Sequence, residues 1–144
     1  MMFVLTVDQR HSRRTGDRVA DLLRDLPTVG AAGAAGSLSG LVRPFERTAG
    51  DEVQGVLDSA EAVVELALRL VATGHWSVGI GVGDVVHPLP AQTRAGAGPA
   101  FSHARTAVTA AKNRSTHLAV VADDAAGATR AQSALDLEIG RAHV

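Results

Sequence analysis

The sequence predicts an α+β domain whose elements follow the order β-α-β-β-α-β, with an α-β unit appended and a C-terminal helix or tail. Three observations carry that expectation. An apolar run over residues 3–7 breaks off at Asp8, two extended runs flank Thr48-Ala49-Gly50-Asp51, and an apolar stripe of helical period runs from Ala62 to Val71. At 144 residues the chain is long enough to bury a core without a staple.

Phe3 to Val7 reads as a central strand because its apolar, β-branched residues end abruptly in Asp8 and a basic stretch. Val19, Leu22, Leu23 and Leu26 then recur at helical spacing, with Thr15 as N-cap, Asp17 in the first turn and Pro27 as the stop. Gly30 to Gly40 is mostly Gly and Ala, too flexible for a helix and too small for a strand, and reads as a loop. Leu41–Arg47 and Glu52–Leu57 form a hairpin with Asp51 at its tip. Ser59 caps the next helix, whose stripe of Ala62, Val63, Leu66, Ala67, Leu70 and Val71 closes at Gly74.

Trp76 to Gly83 alternates large and small residues, as suits a strand on which a helix or ligand closes in; Pro88 and Pro90 follow it. Pro99 to Lys112 is a helix with proline in its first turn, and Leu118 to Ala122 is a last strand. Beyond Asp123 the chain is Ala-rich, and Leu135-Asp136-Leu137-Glu138-Ile139 reads as a stretch that pairs with something outside this chain. Residues 3–122 therefore make a ferredoxin-like sandwich on a mainly antiparallel sheet, and 123–144 a helix or tail. That topology sets the end of the first strand beside the hairpin tip, so Asp8 and Asp51 converge.

Composition narrows the function classes. Fourteen Lys and Arg against fifteen Asp and Glu give a net charge of −1, without the broad positive surface that direct nucleic-acid binding needs. Cysteine is absent, which excludes disulfides and cysteine zinc sites and favours a cytoplasmic location. The apolar start, Met1 to Val7, has no basic leader and reaches Asp8 too soon for a signal peptide, and no stretch attains the roughly 20 apolar residues of a membrane span.

Two carboxylates at one place repel unless a cation or a proton lies between them, so Asp8 and Asp51 point to Mg²⁺ or to a shifted pKa. Mg²⁺ held by one or two carboxylates completes its shell with water and phosphate, and Arg10, Arg13, Arg14 and Arg47 stand near in sequence to meet that charge. The purely local alternative has Asp8 ending a strand and Asp51 making a turn, both ordinary places for Asp. The six histidines show no paired metal spacing, and Gly79-Ile80-Gly81-Val82-Gly83 fits neither dinucleotide nor P-loop spacing. Ser77, Ser102 and Ser115 lie in no nucleophile motif, and Arg105 and Lys112 read as charges on a solvated helix face.

Arg47-Thr48-Ala49-Gly50-Asp51-Glu52-Val53 resembles the metal-binding hairpin of class III nucleotide cyclases and, more distantly, that of GGDEF diguanylate cyclases. Asp8 stands where those enzymes place their first metal aspartate, Trp76 to Gly83 is similar to a glycine-rich strand of theirs, and Gly98 to Arg105 resembles their catalytic helix start. The family's transition-state Asn falls on Phe101, and neither its purine-reading Asp nor its lid after the first strand is present. The resemblance thus implies a palm domain rather than an active cyclase.

Asp8-Gln9-Arg10-His11-Ser12-Arg13 and Phe45-Glu46-Arg47-Thr48-Ala49-Gly50-Asp51-Glu52-Val53-Gln54 more closely resemble the SatD-like proteins of bacteria. That resemblance implies a regulatory or sensory domain in which Asp8 and Asp51 hold Mg²⁺ while Arg10, Arg13, Arg47, Glu52 and Arg105 bind a nucleotide or other phosphate ligand. Longer relatives add a helix-turn-helix that residues up to Val144 do not contain, so no direct DNA contact is carried over. Two other expectations remain: a metal-dependent phosphoryl- or nucleotidyl-transfer enzyme, and a homodimerisation domain of a transcriptional regulator.

Overall fold

The computed structural model describes residues 1–11, 14, 16–27 and 40–142. Among these residues, five strands and four helices follow one another as β1 (Met2–Gln9), α1 (Val19–Asp25), β2 (Leu41–Ala49), β3 (Glu52–Leu57), α2 (Ala60–Ala72), β4 (Trp76–Gly83), α3 (Pro99–Ala111), β5 (Leu118–Ala122) and α4 (Ala125–Ala142). A 3₁₀ turn spans Thr93–Ala95. One mixed sheet has the order β2-β3-β1-β4-β5. β1 is central, antiparallel to β3 and β4, while β5 joins β4 in parallel through α3.

The period-two pattern of β1 sorts its side chains onto two faces. Leu5 and Val7, with Val53, Leu57, Val78, Ile80 and Leu118, meet Leu66, Leu70 and Val71 of α2, Val19 and Leu22 of α1, and Leu135 and Ile139 of α4. On the other face Val4 and Val56 meet Ala100 and Ala104 of α3. Small residues set how closely that helix approaches. A Cβ added to Gly79 would enter the backbone of Ala107 and Val108, and one added to Gly81 would enter that of Ala100 and Ala104. The large-small alternation of Trp76–Gly83 thus records α3 lying almost directly on β4.

Local signals explain most boundaries. The Ser59 hydroxyl accepts from Ala62 N at 3.3 Å and starts α2. Gly50 and Asp51 form a two-residue connection between Ala49 and Glu52, with Gly50 at φ 52 in the left-handed region that glycine adopts readily. Helix α1 starts later than its sequence signals predict: Asp17 Oδ1 accepts from Val19 N at 2.8 Å, and Thr15 lies outside the described residues. Buried Gln9 is the physical reason, since its amide accepts from Arg18 N at 2.8 Å and donates to Gly16 O at 2.6 Å, holding that segment against β1. The Gly30–Gly40 stretch lies outside the described residues except for Gly40.

The stretch Leu135 to Ile139 corrects its sequence reading. Leu135 and Ile139 are each 6% exposed within the main core, and Asp136 accepts from Arg114 and Thr116, so the stretch pairs with its own chain. Among the described residues, no helix is long and apolar enough to cross a membrane.

Candidate functional site

The face of the sheet beneath α3 grades from apolar to charged along β1. Val4 lies opposite Val56, Thr6 opposite Gln54 and Asp8 opposite Glu52, while Asp8 lies opposite Ser77 on its other side. The middle step is already polar, with Gln54 Nε2 donating to Thr6 Oγ1 at 3.1 Å in a buried bond. At the end of the gradient, Glu52, Asp8 and Ser77 form a row across three strands.

Helix α3 lays two cations over that row. Arg105 and Lys112 are seven residues apart, about two helical turns, and therefore share a face. Arg105 donates through Nη1 and Nη2 to the two Glu52 oxygens at 2.6 and 2.9 Å, and Thr48 Oγ1 donates to Glu52 Oε2 at 2.5 Å. Lys112 Nζ stands 2.9 Å from Asp8 Oδ2. Both carboxylates are largely buried, with side chains 7% exposed at Glu52 and 14% at Asp8, whereas Arg105 and Lys112 remain 59% and 50% exposed.

The two acids respond oppositely to these surroundings. Burial raises the Asp8 pKa most; the Lys112 hydrogen bond and charge oppose it, the negative charges of Asp51 and Glu52 add to it, and the result lies above its ordinary value. Burial is also the largest influence on Glu52, but the bonds from Arg105 and Thr48 and the charges of Arg105 and Lys112 together outweigh it and hold Glu52 below its ordinary value. Glu52 is therefore held to its partner as an ion, while Asp8, though paired with Lys112, has its pKa raised by burial.

Beside Asp8 opens a cleft of about 340 Å³ between Arg10, His11, Ser77, Lys112 and His117. Two of its walls have strained backbone, with His11 at φ 59 and His117 at φ 58, and left-handed non-glycine residues concentrate at functional sites. Ser77 Oγ and His117 Nδ1 are 3.3 Å apart. Burial, then the charges of Arg10 and His11, push the His117 pKa down, which favours a neutral imidazole. A second hollow of about 320 Å³ lies between α1 and α2 over Trp76; its rim mixes Asp21 and Asp25 with Arg18 and Arg69, and no row of strand-end acids enters it.

The sequence-predicted residues divide between these features. Asp8 and Arg10 border the cleft, and Arg10 Nη1 also donates to Gly74 O at 3.1 Å. Asp51 adjoins the end of β1, its carbonyl accepting from Gln9 N at 3.1 Å, and its charge reaches Asp8. Arg47 turns instead to Asp17 Oδ2 at 2.9 Å and to Gly50 O, tying the hairpin tip to the start of α1. Glu52 and Arg105 hold one another beside the cleft. Arg13 lies outside the described residues, and exposed Arg14 donates through its backbone N to His11 O at 2.9 Å.

No protein family model matches the chain, and no curated protein or solved structure matches it.

Sequence reasoning missed Ser77 and His117 because strand register and a tight turn, rather than a motif, bring them together. It read Lys112 as a solvated charge; its seven-residue spacing from Arg105, opposite strand-end acids, is the signal that identifies it. Whether Mg²⁺ suits the site follows from the donors. Asp8 lines the cleft and Asp51 does not, although its charge reaches Asp8, and among the described residues no three His, Asp or Glu side chains converge into a cage. A cation there would take one carboxylate from the cleft wall, Asp8, which is paired with Lys112, and would need the rest of its shell from water and a ligand.

Proposed function

We propose that this chain is a SatD-like regulatory or sensory module that binds a Mg²⁺-complexed nucleotide, or another small phosphate ligand, in the cleft at the end of β1. One observation carries the reading: a largely buried Asp8, paired with Lys112, faces a cleft whose other walls include Arg10, His11, Ser77 and His117. Cations at the rim meet phosphate charge, and Asp8, with Asp51 from the neighbouring hairpin tip, would supply the metal's protein ligands. The strand order β2-β3-β1-β4-β5, with β1 antiparallel to both neighbours, supports a ferredoxin-like palm extended by β5. Phe101 offers no hydrogen bond where the cyclases carry Asn, which argues against cyclisation.

Thermal shift with ATP or GTP, each with and without Mg²⁺, tests the proposal. A rise of several degrees that needs Mg²⁺ and disappears in Asp51→Ala supports it; no rise with either nucleotide sinks it. Phosphoryl or nucleotidyl transfer is a second reading, favoured by the Ser77 hydroxyl beside an imidazole within the same cleft. Product analysis after incubation with labelled nucleotide separates the two, because a binding module returns the nucleotide unchanged.

A further inference from the structure

We propose that the Gln132 carboxamide stands in for a neighbouring strand on the free edge of β5, and so keeps the sheet of one copy of this chain from joining that of a second. The inference is independent of the cleft beside Asp8.

Strand β5 ends the sheet, with β4 on one side only. Val78 N donates to His117 O at 2.9 Å, so His117 and Ala119 turn their backbone groups to β4 while Leu118 and Val120 turn theirs to the open edge. Gln132 of α4 takes two of those outward groups. Its Oε1 accepts from Val120 N at 2.8 Å, and its Nε2 donates to Leu118 O at 2.9 Å. A carbonyl and the N–H two residues on are the pair that one residue of a parallel strand occupies when it joins a sheet. Nε2 also donates to Asp136 Oδ1 at 3.0 Å, an oxygen that accepts from Thr116 Oγ1 at 3.0 Å as well. The bond to the Asp136 carboxylate fixes which end of the amide meets which backbone group.

The sequence of β5 supplies no protection of its own. Leu118-Ala119-Val120-Val121-Ala122 carries neither charge nor proline, a composition that favours pairing edge to edge. A groove of about 350 Å³ runs beside it, bordered by the small residues Ala110 of α3 and Ala128, Thr129 and Ser133 of α4. The opposite edge is protected differently. Strand β2 contains Pro44, breaks register with β3, and is covered by Thr93, whose hydroxyl donates to Pro44 O at 2.6 Å. A strand edge is self-complementary about a two-fold axis, so the partner that an uncovered β5 meets is β5 of a second copy, running antiparallel.

Sedimentation equilibrium of the full chain, compared at equal concentrations, tests this on wild type, Gln132→Ala and Gln132→Ser. Each variant uncovers two backbone groups and should self-associate about tenfold more tightly than wild type, its mass approaching twice the wild-type value. Two further proteins block the same edge by different means. Val120→Pro added to Gln132→Ala removes the outward N–H without touching a bond to β4, and Ala122→Lys added to Gln132→Ala sets a charge there. Both should return to the wild-type mass. Single variants that match wild type overturn the inference, as does association that survives both blocks, which would mark an exposed core rather than an opened β5 edge.

Discussion

Asp8 and Glu52 are register partners on adjacent strands, yet their environments separate them, and each separation has a signed consequence. Glu52 is held below its ordinary pKa, so its ion pair stabilises the fold above about pH 4.3 and that contribution fades as acid protonates it. Glu52→Gln should cost about 1–2 kcal/mol at pH 7, a modest figure because Arg105 is more than half exposed. Urea unfolding from pH 7 to pH 3 should show the gap from wild type shrinking in acid; a gap that widens contradicts the assignment. Asp8 has the opposite sign: its raised pKa favours the protonated form on folding, a stabilisation present at low pH and lost as pH rises through the folded value. Asp8→Asn should raise the melting temperature at pH 7, with the gain smaller near pH 4, and a lowered midpoint at pH 7 would contradict it.

Among the elements, α3 and β4 depend on one another most closely. The glycines of β4 let the helix sit low enough for Arg105 and Lys112 to reach the acids at the strand ends. Gly79→Ala or Gly81→Ala must push α3 away from the sheet at a cost of about 1–3 kcal/mol, readable as a drop in the denaturation midpoint. The same displacement should weaken Mg²⁺-nucleotide binding, while Gly50→Ala at the hairpin, which meets open space but strains a left-handed turn, should affect stability alone. Much of this level was legible in the sequence. The stripe of α2, the hairpin and the small residues of β4 each announce themselves through periodicity or turn chemistry. The start of α1 was not legible, because the Gln9 amide that holds residues 16–18 lies several residues upstream on another element.

At the level of the whole molecule, α4 closes the same core that β1 centres. Leu135→Ala or Ile139→Ala should cost about 2–5 kcal/mol in a single cooperative transition, as followed by circular dichroism; a loss below about 1 kcal/mol would make α4 peripheral. Its role escaped the sequence because two apolar positions four apart in an Ala-rich helix give a weak stripe, and only β5 shows what they cover. The candidate site was half legible for a similar reason. Asp8 and Asp51 could be placed from strand ends and turns, but the row Glu52–Asp8–Ser77 exists only through register, and Lys112 and His117 reach it from a fourth and fifth segment. The central claim is that ligand enters at that row, and amide chemical-shift mapping with Mg²⁺-ATP or Mg²⁺-GTP tests it most directly. The account predicts that the largest perturbations with at least one nucleotide fall on Asp8, Arg10, Ser77, Lys112 and His117; no perturbation with either, or one centred on the hollow over Trp76, would contradict it.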